Sequence, residues 1–286
     1  MSRDQTYPGA NTSAQWFAKA YKGSSFNANV GVLHTTEGPS WPGYGGGSSA
    51  PTITAKPNFE KKRLEWRQHF PVDMSARALV NKSGGAETNT LNALQVELVG
   101  TCSKSTSRKW AKAGYKHIYW PDAPEWALRD LAEFMAWGYT EHDIRLESTV
   151  KFVSYPTSYA NGGGQRLSGS KWRNYYGWLG HQHVPENVHG DPGDLPIQRV
   201  LGMAKAIVSP PKPASTPNPP IAGDNVLALY KIPTDNACYE VSGSALVHCT
   251  AKRAEALRKS GVHLAVAVIP SDDTLWTLPK TVAYTA

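Results

Sequence analysis

Apolar positions along the chain change spacing in a way that separates strands from helices. Val30-Gly31-Val32-Leu33-His34 is a short apolar run closing on a histidine and predicts a buried strand. Leu94-Gln95-Val96-Glu97-Leu98-Val99 alternates apolar and polar residues, which predicts a strand carrying Gln95 and Glu97 on one face. From about Pro124 to Trp137 the spacing becomes helical. Leu128, Leu131, Phe134 and Met135 supply the buried face there, and Gly138 is expected to stop the helix. A second helix follows Asp194-Leu195-Pro196, with Asp194 expected as N-cap and Ile197, Val200, Leu201, Ala204 and Ile207 as its apolar stripe. Strands and helices that interleave in this way predict an α/β fold, a mixed central β-sheet flanked by helices. Long glycine-rich loops interrupt the pattern at Gly43–Gly47 and Gly162–Gly164.

The pattern breaks at residues 209–223, where six prolines impose extended backbone suited to a semi-rigid spacer. Beyond it, short strands are predicted over 226–231, 237–241 and 245–249. A tight turn at Gly243-Ser244 would join the last two and set Cys238 opposite Cys249. Thr250 is placed to cap a helix over 251–260, stopped by Gly261 and followed by a strand over 263–269. The plan is therefore a large domain at 1–208, a linker at 209–223 and a small α+β domain at 224–286.

Composition narrows the chemistry. The formal charge is +7, and residues 1–208 carry 23 Lys and Arg against 17 Asp and Glu, a balance that favours an acidic polymer such as cell wall or nucleic acid. No recognised nucleic-acid motif accompanies that charge, so no nucleic-acid partner is expected. There is no apolar run of membrane-spanning length, and the first residues lack the apolar core of a secretory signal. The expectation is synthesis in a cytoplasm with no membrane span. The three cysteines, Cys102, Cys238 and Cys249, are too scattered for a disulfide framework or a thiolate metal site. A metal here must be held by histidine and carboxylate.

One segment offers such ligands. Gly180-His181-Gln182-His183-Val184-Pro185-Glu186-Asn187-Val188-His189-Gly190-Asp191-Pro192-Gly193 gathers three histidines and an aspartate in a stretch too rich in glycine and proline to be helical. Zinc accepts imidazole and carboxylate in a tetrahedral shell, and catalytic sites keep one position for water. His34, at the end of its strand and followed by Thr35-Thr36-Glu37-Gly38, is the natural distant ligand. His183, two residues from His181, reads better as a hydrogen-bonding neighbour. Aromatic rings suited to stacking on sugars occur at Trp172 and Trp178, just before the histidines, and at Trp41 and Tyr44 in the glycine-rich loop.

Three blocks, Val32 through Gly38, Leu94 through Gly100, and Gly180-His181 through Asp191-Pro192-Gly193, resemble in order the signature blocks of the zinc N-acetylmuramoyl-L-alanine amidases. That family is related to peptidoglycan recognition proteins and includes many phage endolysins. The resemblance covers about residues 25–208. It implies a Zn2+ ion on His34, His181 and Asp191, with Glu97 handling the catalytic water. Where many members carry an oxyanion-stabilising lysine, two positions before the metal aspartate, this chain has His189. Its Ser48-Ser49-Ala50-Pro51-Thr52 likewise replaces a segment that brings tyrosine or histidine to the site.

The implied protein is an endolysin made in a host bacterium, acting on peptidoglycan and released to the wall by a separate holin. Residues 1–208 would cut, and 224–286 would bind the wall. A non-catalytic peptidoglycan-binding protein and a zinc endopeptidase cutting within the stem peptide are the competing readings.

Overall fold

The structure, a computed structural model, describes residues 3–90 and 92–209 and the strand segments 229–231, 238–242, 245–249 and 266–268. The chain divides into two compact units, Met1–Pro211 and Lys212–Ala286.

In the first unit the strands are β1 (Val30–Thr35), β2 (Ile53–Asn58), β3 (Arg63–Gln68), β4 (Ala93–Leu98) and β5 (Gly177–Gly180). The helices are α1 (Lys104–Lys112), α2 (Glu125–His142), α3 (Gly169–Arg173) and α4 (Ile197–Val208). The sheet order is β3-β2-β4-β1-β5, antiparallel only between β2 and β3. It is the mixed sheet with flanking helices that the periodicity predicts.

Alternation along the strands sorts side chains between two cores. Leu33, Leu94, Val96, Leu98, Ile53 and Trp178 pack beneath α2 and α4 in one buried cluster. Val30, Val32, Ala93 and Leu179 face the other way, against Trp172, Tyr175 and Val184. His34 and Glu97 follow Val32 and Gln95 by two residues, so they share this second face, away from the long helices.

Register lines up the chemistry. His34 pairs with Glu97, Glu97 with Thr54, and Thr54 with Arg67, one row across β1, β4, β2 and β3. His34 and Glu97 stand at the penultimate positions of parallel strands, at the carboxyl end of the sheet where α/β folds form their crevices.

Helix limits depart from expectation at two points. Helix α2 runs through Gly138 to His142, and Asp143 caps it in a left-handed conformation (φ 58°) with its N–H on the carbonyls of Gly138 and Tyr139. Gly138 lies inside the helix beside Trp178, whose ring a Cβ there would meet at 3.6 Å, an ordinary contact. Helix α4 starts after Pro196, not from an Asp194 cap. Pro196 has no N–H to offer such a cap, and the Ile197 N–H is taken by the Leu195 carbonyl at 2.6 Å. Ile207, in the last turn, is 46% exposed, while Ile197, Val200, Leu201 and Ala204 are buried as expected.

The second unit contains β6 (Leu229–Lys231), β7 (Cys238–Ser242), β8 (Ala245–Cys249) and β9 (Val266–Val268), in the order β8-β7-β6-β9. β7 and β8 are antiparallel, with Cys238 opposite Cys249 in register. The linker from 210 onward, the Gly243-Ser244 turn and the helix expected over 251–260 lie outside the described residues.

Candidate metal centre

Strand β1 delivers His34, and the turn after β5 delivers His181, directly beyond the Leu33–Gly180 pair that ends the β1–β5 ladder. The loop that follows returns Asp191 to the same place. His34 Nδ1 lies 3.0 Å from His181 Nδ1, His181 Nδ1 lies 3.3 Å from Asp191 Oδ1, and His34 Nδ1 lies 3.9 Å from Asp191 Oδ2. All three residues are buried, and together they form a cluster that could hold a metal ion.

Their charge states suit ligation. Burial, reinforced by the proximity of His181, drives the His34 pKa well below its ordinary value, so the ring is neutral. Burial alone would raise the Asp191 pKa, but His181 beside it, His34 and a hydrogen bond from the Thr35 N–H (3.0 Å) hold it below the usual carboxylate range.

The surrounding residues fix the geometry. Asn187 Oδ1 accepts from the Val80 N–H (2.9 Å) while its Nδ2 donates to the Pro185 carbonyl (2.9 Å), so the amide orientation is determined. That oxygen sits 3.0 Å from His181 Nε2 and can only accept. The His181 proton therefore resides on Nε2, and Nδ1 presents a lone pair to the cluster. The Arg166 guanidinium donates to the carbonyls of Val184 (2.9 Å) and His189 (2.6 Å), gathering the ligand loop around one side chain. Glu37, with φ of 48°, accepts from the Thr35 hydroxyl (2.7 Å), the Cys102 N–H (2.8 Å) and the Thr101 hydroxyl, which joins the ends of β1 and β4 at the rim.

Glu97 Oε1 stands 4.0 Å from His34 Nδ1, and its buried Oε2 has no hydrogen-bond partner among the described residues. Burial, with Asp191 and Glu37 adding to it, raises the Glu97 pKa well above the ordinary value. His189 stacks on His181, rings nearly parallel (7°) with centroids 4.8 Å apart, and its side chain is 63% exposed. His183 is a structural residue. Its Nδ1 accepts from the Gly180 N–H (2.9 Å) and its Nε2 donates to the Lys151 carbonyl (2.9 Å).

The aromatic residues divide. Trp172 and Trp178 are 3% and 0% exposed, packed into the two cores, so neither can line a sugar groove. The apolar spacing around them reflects core packing. Trp41 is half-buried with the Arg67 guanidinium 4.0 Å above its ring. Tyr44 turns inward, where its hydroxyl meets Thr54 Oγ1 at 2.6 Å, and Thr54 meets His69 Nε2 at 2.9 Å. Burial and then the nearby Glu97 raise the Tyr44 pKa. The Tyr44–Thr54–His69 chain has no motif to announce it. Asn187, Arg166 and Glu37 also escape sequence reasoning, although Asn187 and Glu37 lie inside the quoted blocks.

No protein-family model, no curated protein and no solved structure matches the chain.

Proposed function

We propose that the chain is a zinc-dependent N-acetylmuramoyl-L-alanine amidase, a phage endolysin that hydrolyses the amide between N-acetylmuramic acid and L-alanine of peptidoglycan. The observation that carries this reading is the buried His34–His181–Asp191 cluster with the Glu97 carboxyl 4.0 Å from one of its nitrogens. Ligands about 2.0–2.2 Å from a tetrahedral zinc stand about 3.3 Å from one another, and the edges of 3.0, 3.3 and 3.9 Å fit that spacing. Bound zinc supplies Lewis acidity to the amide carbonyl and to water.

The protein's own groups do the rest. Glu97 takes the proton of the attacking water and returns it to the amine as the C–N bond breaks, a task suited to a carboxyl whose pKa burial has raised. His189, the exposed ring beside His181, is assigned as donor to the developing oxyanion. Tyr44 holds Thr54, the register neighbour of Glu97, and Trp41 with Arg67 is assigned as one wall of the substrate groove.

We assign synthesis to the host cytoplasm, release to the wall to a separate holin, and wall binding to residues 224–286. No helix among the described residues is long and apolar enough to cross a membrane. Incubation with purified cell walls tests the reaction. Release of peptides with free L-alanine amino ends is expected. New termini inside the stem peptide would replace the amidase with an endopeptidase, and binding without release would leave a recognition protein.

A further inference from the structure

Between Glu97 and Asp122 the sequence holds five cations, Lys104, Arg108, Lys109, Lys112 and Lys116, and no carboxylate. Residues 1–208 carry an excess of six positive charges in all, so this stretch accounts for nearly the whole of it. The structure gathers it into one projection. The Thr101 N–H donates to the Ile118 carbonyl (3.1 Å) and the Trp120 N–H donates to that of Thr101 (3.0 Å), which closes the base. Ser103 caps α1 by accepting from the Thr106 N–H, and no residue of α1 is buried.

The projection is held together by its own contacts. The Ser107 hydroxyl meets His117 Nε2 at 2.8 Å, His117 Nδ1 donates to the Tyr115 carbonyl, and the Trp110 ring packs edge-on against His117. All five cations are exposed, and none has a carboxylate within 4.0 Å among the described residues. Lys104, Arg108 and Lys112 follow one another at i, i+4 and i+8, a row with a charge every ~6 Å. Like charges at this spacing on one helix face repel, and α1 gains no core packing to offset that repulsion. An external polyanion would remove that repulsion.

We propose that residues 103–117 are a docking site for an anionic, phosphate-bearing polymer of the cell wall. Position supports it. The projection leaves the sheet at Thr101 and Cys102, both hydrogen-bonded to Glu37 at the rim of the metal centre, so a polymer held by α1 lies beside that centre. Trp110 is turned onto His117 rather than outward, and no recognised nucleic-acid motif includes the segment. Contact is with charge, not with sequence. The charge complementarity is independent of the proposed function, while the polymer's identity as wall material rests on it.

The test uses the full chain, sedimented with Gram-positive walls before and after hydrofluoric acid removes their phosphate polymer. The variants are Arg108→Glu/Lys109→Glu/Lys112→Glu and the charge-keeping Lys109→Arg/Lys112→Arg. Unaltered circular dichroism and metal content establish that each is folded. Wild type and the charge-keeping variant should bind intact walls about tenfold or more tightly than the reversal variant, with a steeper salt dependence. On stripped walls all three should bind alike. Equal binding of wild type to intact and stripped walls, or equal binding by the reversal variant, would overturn the proposal. Tighter binding to duplex DNA than to walls at the same salt would also overturn it, in favour of nucleic acid. Sedimentation needs no turnover. Binding that depends on residues 103–117 without wall hydrolysis would sink the amidase reading and leave this one standing.

Discussion

His34 and His181 bring their Nδ1 atoms to 3.0 Å, and Asp191 closes the third corner, so each ligand is needed to define the site. Purified protein should carry about one metal equivalent per chain, and Asp191→Ala should lose it, as metal analysis would read directly. Glu97→Gln should keep the metal and lose about two to four orders of magnitude in wall hydrolysis. Normal turnover in that variant would remove Glu97 from the mechanism. Asn187 acts through His181, so Asn187→Leu should weaken metal affinity about 10–100-fold in a chelator competition. Two buried histidines that are not ligands give a pH signature. Burial lowers the pKa values of His69 and His183 from 6.5 to about 4. Between those values the unfolded chain binds more protons than the folded one. Their contribution to stability is complete above about pH 6.5 and is lost as pH falls toward 4, about 3 kcal/mol for each ring. Melting temperatures recorded from pH 7 to 4.5 should fall, and His69→Gln should flatten that dependence. An unchanged slope in His69→Gln would contradict the assignment.

Strand β1 depends on a missing side chain. A Cβ on Gly31 would stand 2.2 Å from the Trp178 ring, so Gly31→Ala must displace a fully buried indole. A loss of about 1–3 kcal/mol is expected in urea unfolding. Helix α2 is tied to β3 by Asp130, which accepts from Arg63 Nε (2.8 Å) and the Leu64 N–H (2.6 Å). Asp130→Ala should cost about 1.5–3 kcal/mol by the same measurement. What was legible in the sequence follows from these packing relations. Val30–His34 announces itself as a continuous apolar run, the mark of a strand buried on both faces, and Leu94–Val99 by its period of two. The apolar face of α2 is equally plain, but its end is not. Gly138 reads as a stop, yet the helix runs past it to His142 and is capped by Asp143. Trp172 and Trp178 mislead as well, since an aromatic beside a site looks alike in sequence whether it faces solvent or core. The site's ligands were legible as residue types in a dense segment. Asn187, Arg166 and the Tyr44–Thr54–His69 chain were not, because each acts through a contact between distant segments.

At the level of the molecule, the division between Met1–Pro211 and Lys212–Ala286 assigns every residue of the metal centre to the first unit. On the proposed function, residues 1–208 alone should retain metal and hydrolyse soluble wall fragments, while clearing intact cells less well if 224–286 tethers the protein. Truncated protein lysing cells at the full rate would refute the tether. The row His34–Glu97–Thr54–Arg67 carries a different implication. Four strands must hold a common phase for these side chains to meet, and strand phase alternates with every residue. Deleting one residue before His34 within β1, or before Glu97 within β4, would swing that side chain to the face beneath the long helices. The turns between strands carry no such constraint. A library of single-residue deletions should thus divide sharply, with survivors confined to segments such as 59–62 and 81–84 and none inside the row's strands. Changes of length in this molecule are permitted only where they leave the parity of its strands untouched.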